Sequence, residues 1–187
     1  MNLKALVVAV SVAAIALPVF AGVESGLKPG ERVTPFHPDH VAGPLAGTKN
    51  CFPCTFQQRP AVQVWVHGDD AKNVQAIIED LQANMKSHRD KEFKALVVYV
   101  ADTAAQKDEL KKQLTECCAS IGKEDIAIAV IDKDNEAIKN YKINLDASVK
   151  NTVFVYKDWK VQQTMVNLKM DDKGCTDLCT AVGAATK

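Results

Sequence analysis

The sequence predicts an α/β fold in which a central, mostly parallel sheet ends in a C-terminal antiparallel hairpin and is flanked by helices. Two observations support this prediction. Short apolar runs typical of buried strands alternate with segments whose apolar residues recur at helical spacing. The last two strand-like runs, 152–156 and 161–166, are separated by only four residues, 157–160, which indicates a hairpin. Strands that are joined by crossover helices pair in parallel. The last two strands are joined by a short turn instead, so we expect them to pair antiparallel.

The elements are expected in the order β-α-β-α-β-α-β-β-α. Helices should follow each of the first three strands, and a last helix should begin near Asp171. The apolar stripe of the second helix is expected to continue to Gly122, a residue type that commonly ends helices. The predicted strands cover 61–66, 93–100, 126–131, 152–156 and 161–166.

The N-terminal residues 1–21 have the pattern of a secretory signal peptide. Lys4 precedes an apolar stretch without acidic residues, and Val19-Phe-Ala21 fits a cleavage site for small residues. The expected location is therefore secreted or periplasmic, with no stable membrane insertion after cleavage. Residues 22–50 contain many Gly and Pro and are predicted to form an extended N-terminal arm, followed by one domain over 51–187.

Composition narrows the classes of function. The chain has 23 Lys and Arg against 23 Asp and Glu, so it lacks the basic excess of a nucleic-acid-binding protein. No motif suggests a haem, flavin or nucleotide, and we expect no cofactor.

The motif Cys51-Phe-Pro-Cys54 is the main candidate site. Two cysteines two residues apart form the minimal dithiol redox unit, because one thiol attacks and the other resolves. Both precede the first strand, so we expect them on a Pro-containing loop outside any helix. They should be close enough to bond, at the end of the sheet opposite His67, because Pro60 leads directly into the strand that ends before His67.

Two further segments resemble the redoxin branch of the thioredoxin-like superfamily. Gly26-Leu-Lys-Pro-Gly30, followed by Val33-Thr-Pro-Phe36, is similar to the opening of redoxin domains. The run 151–156 with Lys160-Val161 is similar to the closing hairpin of the family. The resemblance implies a thioredoxin-like fold over most of the mature chain.

The chain departs from this family at the usual active-site positions. Thioredoxins carry their cysteine pair after the first central strand, where this chain has His67-Gly-Asp-Asp70. The family's cis-proline before the fourth strand is replaced by Asn151. We interpret Asp69 and Asp70 as helix-capping residues, with acid–base chemistry or cation binding as the alternative.

The remaining cysteines and histidines have simpler interpretations. We expect core packing for four cysteines, with disulfide, redox or metal roles as alternatives: Cys117, Cys118, Cys175 and Cys179. His37 and His40 precede the Cys51–Cys54 pair, and two His with two Cys suit zinc. The residues do not follow a finger pattern, however, and we assign no metal site.

The sequence therefore supports two functions. The first is an exported thiol–disulfide oxidoreductase or redox accessory protein that uses Cys51 and Cys54 on a protein redox partner or substrate disulfide. The alternative is a catalytically silent thioredoxin-like binding module with structural cysteines.

Overall fold

The computed structural model describes residues 23–122 and 125–187, so the predicted signal peptide lies outside the described residues. Its helices and strands follow the predicted order, with one additional strand and one additional short helix at the N-terminal side. In chain order they are β1 (Asp39–Ala42), α1 (Phe52–Phe56), β2 (Ala61–Val66), α2 (Ala71–Ser87), β3 (Lys94–Ala101), α3 (Ala104–Cys117), β4 (Ala127–Asp132), α4 (Glu136–Asn140), β5 (Asn151–Lys157), β6 (Lys160–Val166) and α5 (Asp172–Ala185). A single 3-10 turn covers Arg89–Lys91.

The strands form one six-stranded mixed sheet in the order β1-β4-β3-β2-β5-β6. Strands β2, β3 and β4 are parallel, as predicted, and β5 and β6 form the predicted antiparallel hairpin. The parallel part is limited to these three strands, because β5 is antiparallel to β2 and β1 to β4. The chain reaches β5 beside the carboxyl end of β2, where Asn151 is aligned with Val66, and β5 therefore runs back along β2. The predicted fold class is confirmed.

Both faces of the sheet are covered, which explains why every residue of β2 is buried. On one face, Val62, Val64 and Val66 pack against apolar side chains of α2, α3 and α5. On the other face, Ala61 and Trp65 pack against α1, α4 and the segment before β1. Alternate residues of a strand point to opposite faces, so a strand with two covered faces has a continuous apolar sequence.

The predicted N-terminal arm contributes to both the sheet and the core. Its strand β1 pairs with β4 at the sheet edge, and the apolar side chains of Leu27, Val33, Phe36 and Leu45 are buried. Gly43 follows β1 with φ +83, and a Cβ atom there would lie 2.2 Å from the Ile126 carbonyl oxygen. Only glycine combines this backbone angle with so close an approach to β4.

An ion-pair cluster joins β1 to α3. The Lys107 ammonium lies 2.7 Å from a carboxylate oxygen of Asp39 and 2.7 Å from one of Asp132. Burial opposes the charged form of Asp39, but the hydrogen bond and charge of Lys107 outweigh it and lower the pKa of Asp39. Burial likewise opposes the charge on Lys107, and the two carboxylates outweigh it and raise the pKa of Lys107.

We expect Lys107→Met to lower the free energy of unfolding by about 1 kcal/mol at neutral pH. Because the pKa of Asp39 is lowered in the folded protein, its interactions stabilise the fold at pH values above the ordinary pKa of Asp. This contribution is lost as the pH falls through the lowered pKa. Because the pKa of Lys107 is raised, its interactions stabilise the fold at pH values below the ordinary pKa of Lys. The difference between variant and wild type should therefore be largest between about pH 5 and 9 and shrink below about pH 3.

Urea unfolding at several pH values measures this dependence. Lys112→Met is the matched control, because Lys112 is exposed on the same helix. A Lys107→Met loss that is the same at pH 2 and pH 7 would contradict the ion-pair explanation.

Candidate thiol–disulfide site

Cys51 and Cys54 form a disulfide, with their Cα atoms 5.2 Å apart. The prediction that the two residues lie close enough to bond is therefore confirmed. The bridge closes a very short loop, because the cysteines are only three positions apart.

The expectation that the motif lies outside any helix is wrong. Cys51 is the N-cap of the one-turn helix α1, and its Sγ accepts a hydrogen bond from the Cys54 backbone N–H at 3.1 Å. The Thr55 N–H donates to the Cys51 carbonyl at 3.0 Å. A proline is well tolerated in a first helical turn, and Pro53 occupies that turn. Pro53 was the sequence signal for the helix, but α1 is too short for periodicity to reveal it.

The disulfide lies at the end of the sheet opposite His67, as predicted. Helix α1 is next to the start of β3, where the Lys94 ammonium is 5.6 Å from the centre of the Phe56 ring. The turn between β5 and β6 is also at this end, and the Asp158 N–H donates to the Gln58 carbonyl at 3.2 Å. Arg59, between α1 and β2, pairs with Glu92 at 3.1 Å.

The two cysteines differ in exposure. Cys51 is 5 % exposed, and its neighbours Phe52 and Pro53 are buried. Cys54 is exposed, and so is Thr55 after it. One side of the bridge therefore faces solvent while the other is packed into the protein.

Two histidines hold the chain that enters the motif. His37 Nδ1 is 2.9 Å from the Lys49 carbonyl oxygen, and His40 Nε2 is 2.9 Å from the Asn50 carbonyl oxygen. Burial lowers the pKa of His40, which favours a neutral ring that donates to Asn50. Within 23–122 and 125–187, the His, Cys, Asp and Glu side chains form no group of three that could hold a metal ion.

The position after β2, where thioredoxins carry their cysteines, is occupied by one helix-capping residue, Asp70, and by polar neighbours that bind other segments. The Asp70 carboxylate accepts hydrogen bonds from the backbone N–H groups of Lys72 and Asn73, which confirms its predicted capping role. Asp69 instead accepts from the side-chain amides of Asn73 and Asn151, at 2.9 Å and 2.6 Å. The Nε2 atom of His67 is 3.2 Å from a carboxylate oxygen of Asp102.

Asn151, at the start of β5, hydrogen bonds to two other segments at this end of the sheet. Its amide donates to Asp69 and to the Leu168 carbonyl, the latter at 2.9 Å, and its carbonyl oxygen accepts from the Leu168 N–H at 2.8 Å. The side chain is 1 % exposed, and each of its polar atoms has a partner. Asn151, at the position where thioredoxins carry a proline, therefore links three separate segments of the chain.

The four remaining cysteines are free. The core prediction holds for Cys118, which is buried, and burial raises the pKa of its thiol to about 12. It is wrong for Cys117, which is exposed with its sulfur 3.4 Å from that of Cys118. Helix α3 ends at Cys117 rather than near Gly122, because Cys118 leaves the helical backbone conformation as the C-cap.

The core prediction is also wrong for Cys175 and Cys179. Cys175 is half-buried and Cys179 is exposed, with its sulfur 3.7 Å from a carboxylate oxygen of Asp80 on α2. The buried stripe of α5 consists of the other small and apolar residues, Gly174, Leu178, Ala181, Val182 and Ala185. Helix α5 covers the face of the sheet opposite α1, so these thiols are separated from the Cys51–Cys54 disulfide by the sheet.

In 23–122 and 125–187, no helix has the combined length and apolar character needed to cross a membrane. No protein-family model matches the sequence, and no curated protein matches it significantly.

Solved structures are similar to this chain in fold. A candidate thiol:disulfide interchange protein DsbE from Chlorobium tepidum superposes with a TM-score of 0.59 at 13 % identity, covering 86 % of this chain and 99 % of that one. The thioredoxin domain of a thiol-disulfide oxidoreductase from Bacteroides vulgatus gives 0.54 at 12 % identity, covering 83 % and 99 %. A 1-Cys peroxiredoxin from yeast mitochondria gives 0.54 at 15 % identity, covering 84 % and 76 %. At these identities the likeness establishes the fold alone.

Proposed function

Starting from a chain with the thioredoxin-like fold of the redoxin branch, we propose a thiol–disulfide oxidoreductase or redox accessory protein that works through Cys51 and Cys54. Its partner is a protein thiol or a substrate disulfide. The signal-peptide pattern of residues 1–21 supports action in an oxidising compartment after export.

The observation that carries this proposal is a short-loop disulfide with one cysteine at the surface. Thiol–disulfide exchange requires a thiolate to reach one of the bonded sulfurs, so an exposed cysteine is necessary. The other four cysteines are free. The one disulfide among the six cysteines is therefore in the Cys-x-x-Cys motif, which dithiol redox proteins also contain.

Loop length also favours a redox role over a structural one. A disulfide stabilises a protein by restricting the unfolded chain, and the effect grows with the length of the closed loop. The Cys51–Cys54 bridge spans three positions, and α1 is already held by the buried Phe52. Removing the bridge should therefore cost less than the ~2–5 kcal/mol typical of small secreted domains.

The alternative, a silent binding module, rests on a different observation. The position where the family keeps its cysteines is occupied by His67-Gly-Asp-Asp70, and the Asp69 carboxylate there accepts a hydrogen bond at 2.6 Å from Asn151, the residue at the position of the family's proline. A chain without this site could still bind partners through the same scaffold. Its disulfide would then be structural and would stabilise only α1.

A Cys51→Ser, Cys54→Ser double variant separates the two functions. We expect the wild type to reduce insulin disulfides with dithiothreitol as the electron source, and the double variant to lose all of this activity while remaining folded. A working pair should also have a reduction potential above about −300 mV, since structural disulfides typically lie below that value.

The matched control is a Cys117→Ser, Cys179→Ser variant, which removes two exposed free thiols outside the motif. It should keep wild-type activity. A wild type that is inactive toward insulin, glutathione disulfide and peroxide would favour the silent module.

A further inference from the structure

We infer that Cys54 is the cysteine that exchanges with the partner, and that Cys51 is the sulfur that leaves and resolves. This inference rests on the proposed function and reverses the order found in thioredoxins, where the more N-terminal cysteine attacks.

Exposure is the first reason. Cys51 is 5 % exposed, and the neighbouring Phe52 is 0 % exposed. Phe52 packs against the same face of the sheet as Trp65. Cys54 is exposed, and the polar residues Thr55 and Gln57 around it are exposed too. A thiolate must contact the sulfur that it attacks, and a protein partner reaches Cys54 without displacing core side chains.

Hydrogen bonding is the second reason. The Cys51 sulfur accepts the backbone N–H of Cys54 at 3.1 Å. A hydrogen bond to a thiolate stabilises the charged form, and a more stable thiolate is a better leaving group. Within the described residues no hydrogen bond to the Cys54 sulfur is formed. The bridge is therefore polarised so that breaking it places the negative charge on Cys51.

The exchange takes place in two steps. A partner thiolate attacks the Cys54 sulfur and forms a mixed disulfide, while the electron pair of the Cys51–Cys54 bond moves to the Cys51 sulfur, which leaves as a thiolate. A second partner thiolate then attacks the partner sulfur of the mixed disulfide. The partner leaves as an oxidised disulfide, and Cys54 is released as a second thiolate. In the reverse direction Cys54 attacks a substrate disulfide and Cys51 resolves it.

Single variants of the mature chain test the assignment, in a background where Cys117 and Cys179 are replaced by Ser to remove other exposed thiols. Each protein is mixed with glutathione disulfide, and formation of the glutathione adduct is followed by intact mass spectrometry. We expect Cys51→Ser, which keeps Cys54, to form the adduct at least about tenfold faster than Cys54→Ser. Peptide mapping should place the adduct on Cys54.

Cys51→Ala serves as the second variant, because it keeps a small apolar side chain at the buried position where Ser introduces a hydroxyl. Thermal unfolding of each variant shows whether it is folded before its rate is compared. Equal rates, or a faster adduct on Cys51 in folded Cys54→Ser, would overturn the inference.

The two proposals fail in different ways. A wild type that exchanges with insulin but carries its adduct on Cys51 would overturn the assignment of Cys54 and leave the proposed function intact. A wild type that exchanges with no disulfide would overturn the proposed function, and the inference with it.

Discussion

Replacing Trp65 with alanine is expected to lower the free energy of unfolding by about 3–5 kcal/mol. Trp65 is 1 % exposed in the middle of the sheet. Its ring centre lies 5.1 Å from that of Phe36 and 4.9 Å from that of Tyr141. Alanine would leave a large cavity on the face that holds the N-terminal arm, and a close-packed core collapses only partly into such a space.

Urea unfolding followed by far-ultraviolet circular dichroism measures this loss. Trp159→Ala is the matched control, because Trp159 is only half-buried in the turn of the β5–β6 hairpin. We expect a clearly smaller loss there. A Trp65→Ala loss no greater than that of Trp159→Ala would show that the aromatic cluster is not a main source of stability.

Replacing Asn151 with alanine is expected to lower the free energy of unfolding by about 2–4 kcal/mol. The variant would leave the Leu168 N–H without its side-chain partner. It would also remove one donor from the Leu168 carbonyl and one from the Asp69 carboxylate, both of which keep the Asn73 amide as a donor. Buried polar groups that lose their partners carry the full cost of leaving water.

The reaction of the disulfide should not change in this variant, because Asn151 is at the opposite end of the sheet from α1. Asn140→Ala, at an exposed position, is the control and should alter the unfolding free energy by less than about 0.5 kcal/mol. Faster or slower glutathione exchange in folded Asn151→Ala would contradict the separation of the two ends.

Much of the fold follows from local pattern and chain order. The continuous apolar runs predicted β2, β3 and β4 because strands covered on both faces lack polar alternation. The short gap before Lys160 predicted the hairpin, since adjacent strands with a tight turn pair with each other. The position of the disulfide followed from chain length, because the few residues between Cys54 and Ala61 cannot reach the far end of β2.

The predictions that failed have two causes. Apolar periodicity cannot tell a buried small side chain from an exposed one at the end of a stripe, so Cys117 and Cys179 were placed in the core. The N-terminal arm gave no strand periodicity, yet β1 forms because the unpaired edge of β4 offers it hydrogen-bonding partners.

Local pattern was therefore sufficient for the type and order of most elements and for the proximity of Cys51 and Cys54. Which of the two sulfurs is reachable, and which accepts the N–H of Cys54, depended on how α1 packs beneath the sheet. The role of Asn151 depended on Asp69 and Leu168, which are distant in sequence. Periodicity reports which face a residue occupies, whereas exposure and hydrogen-bond partners arise when distant segments meet.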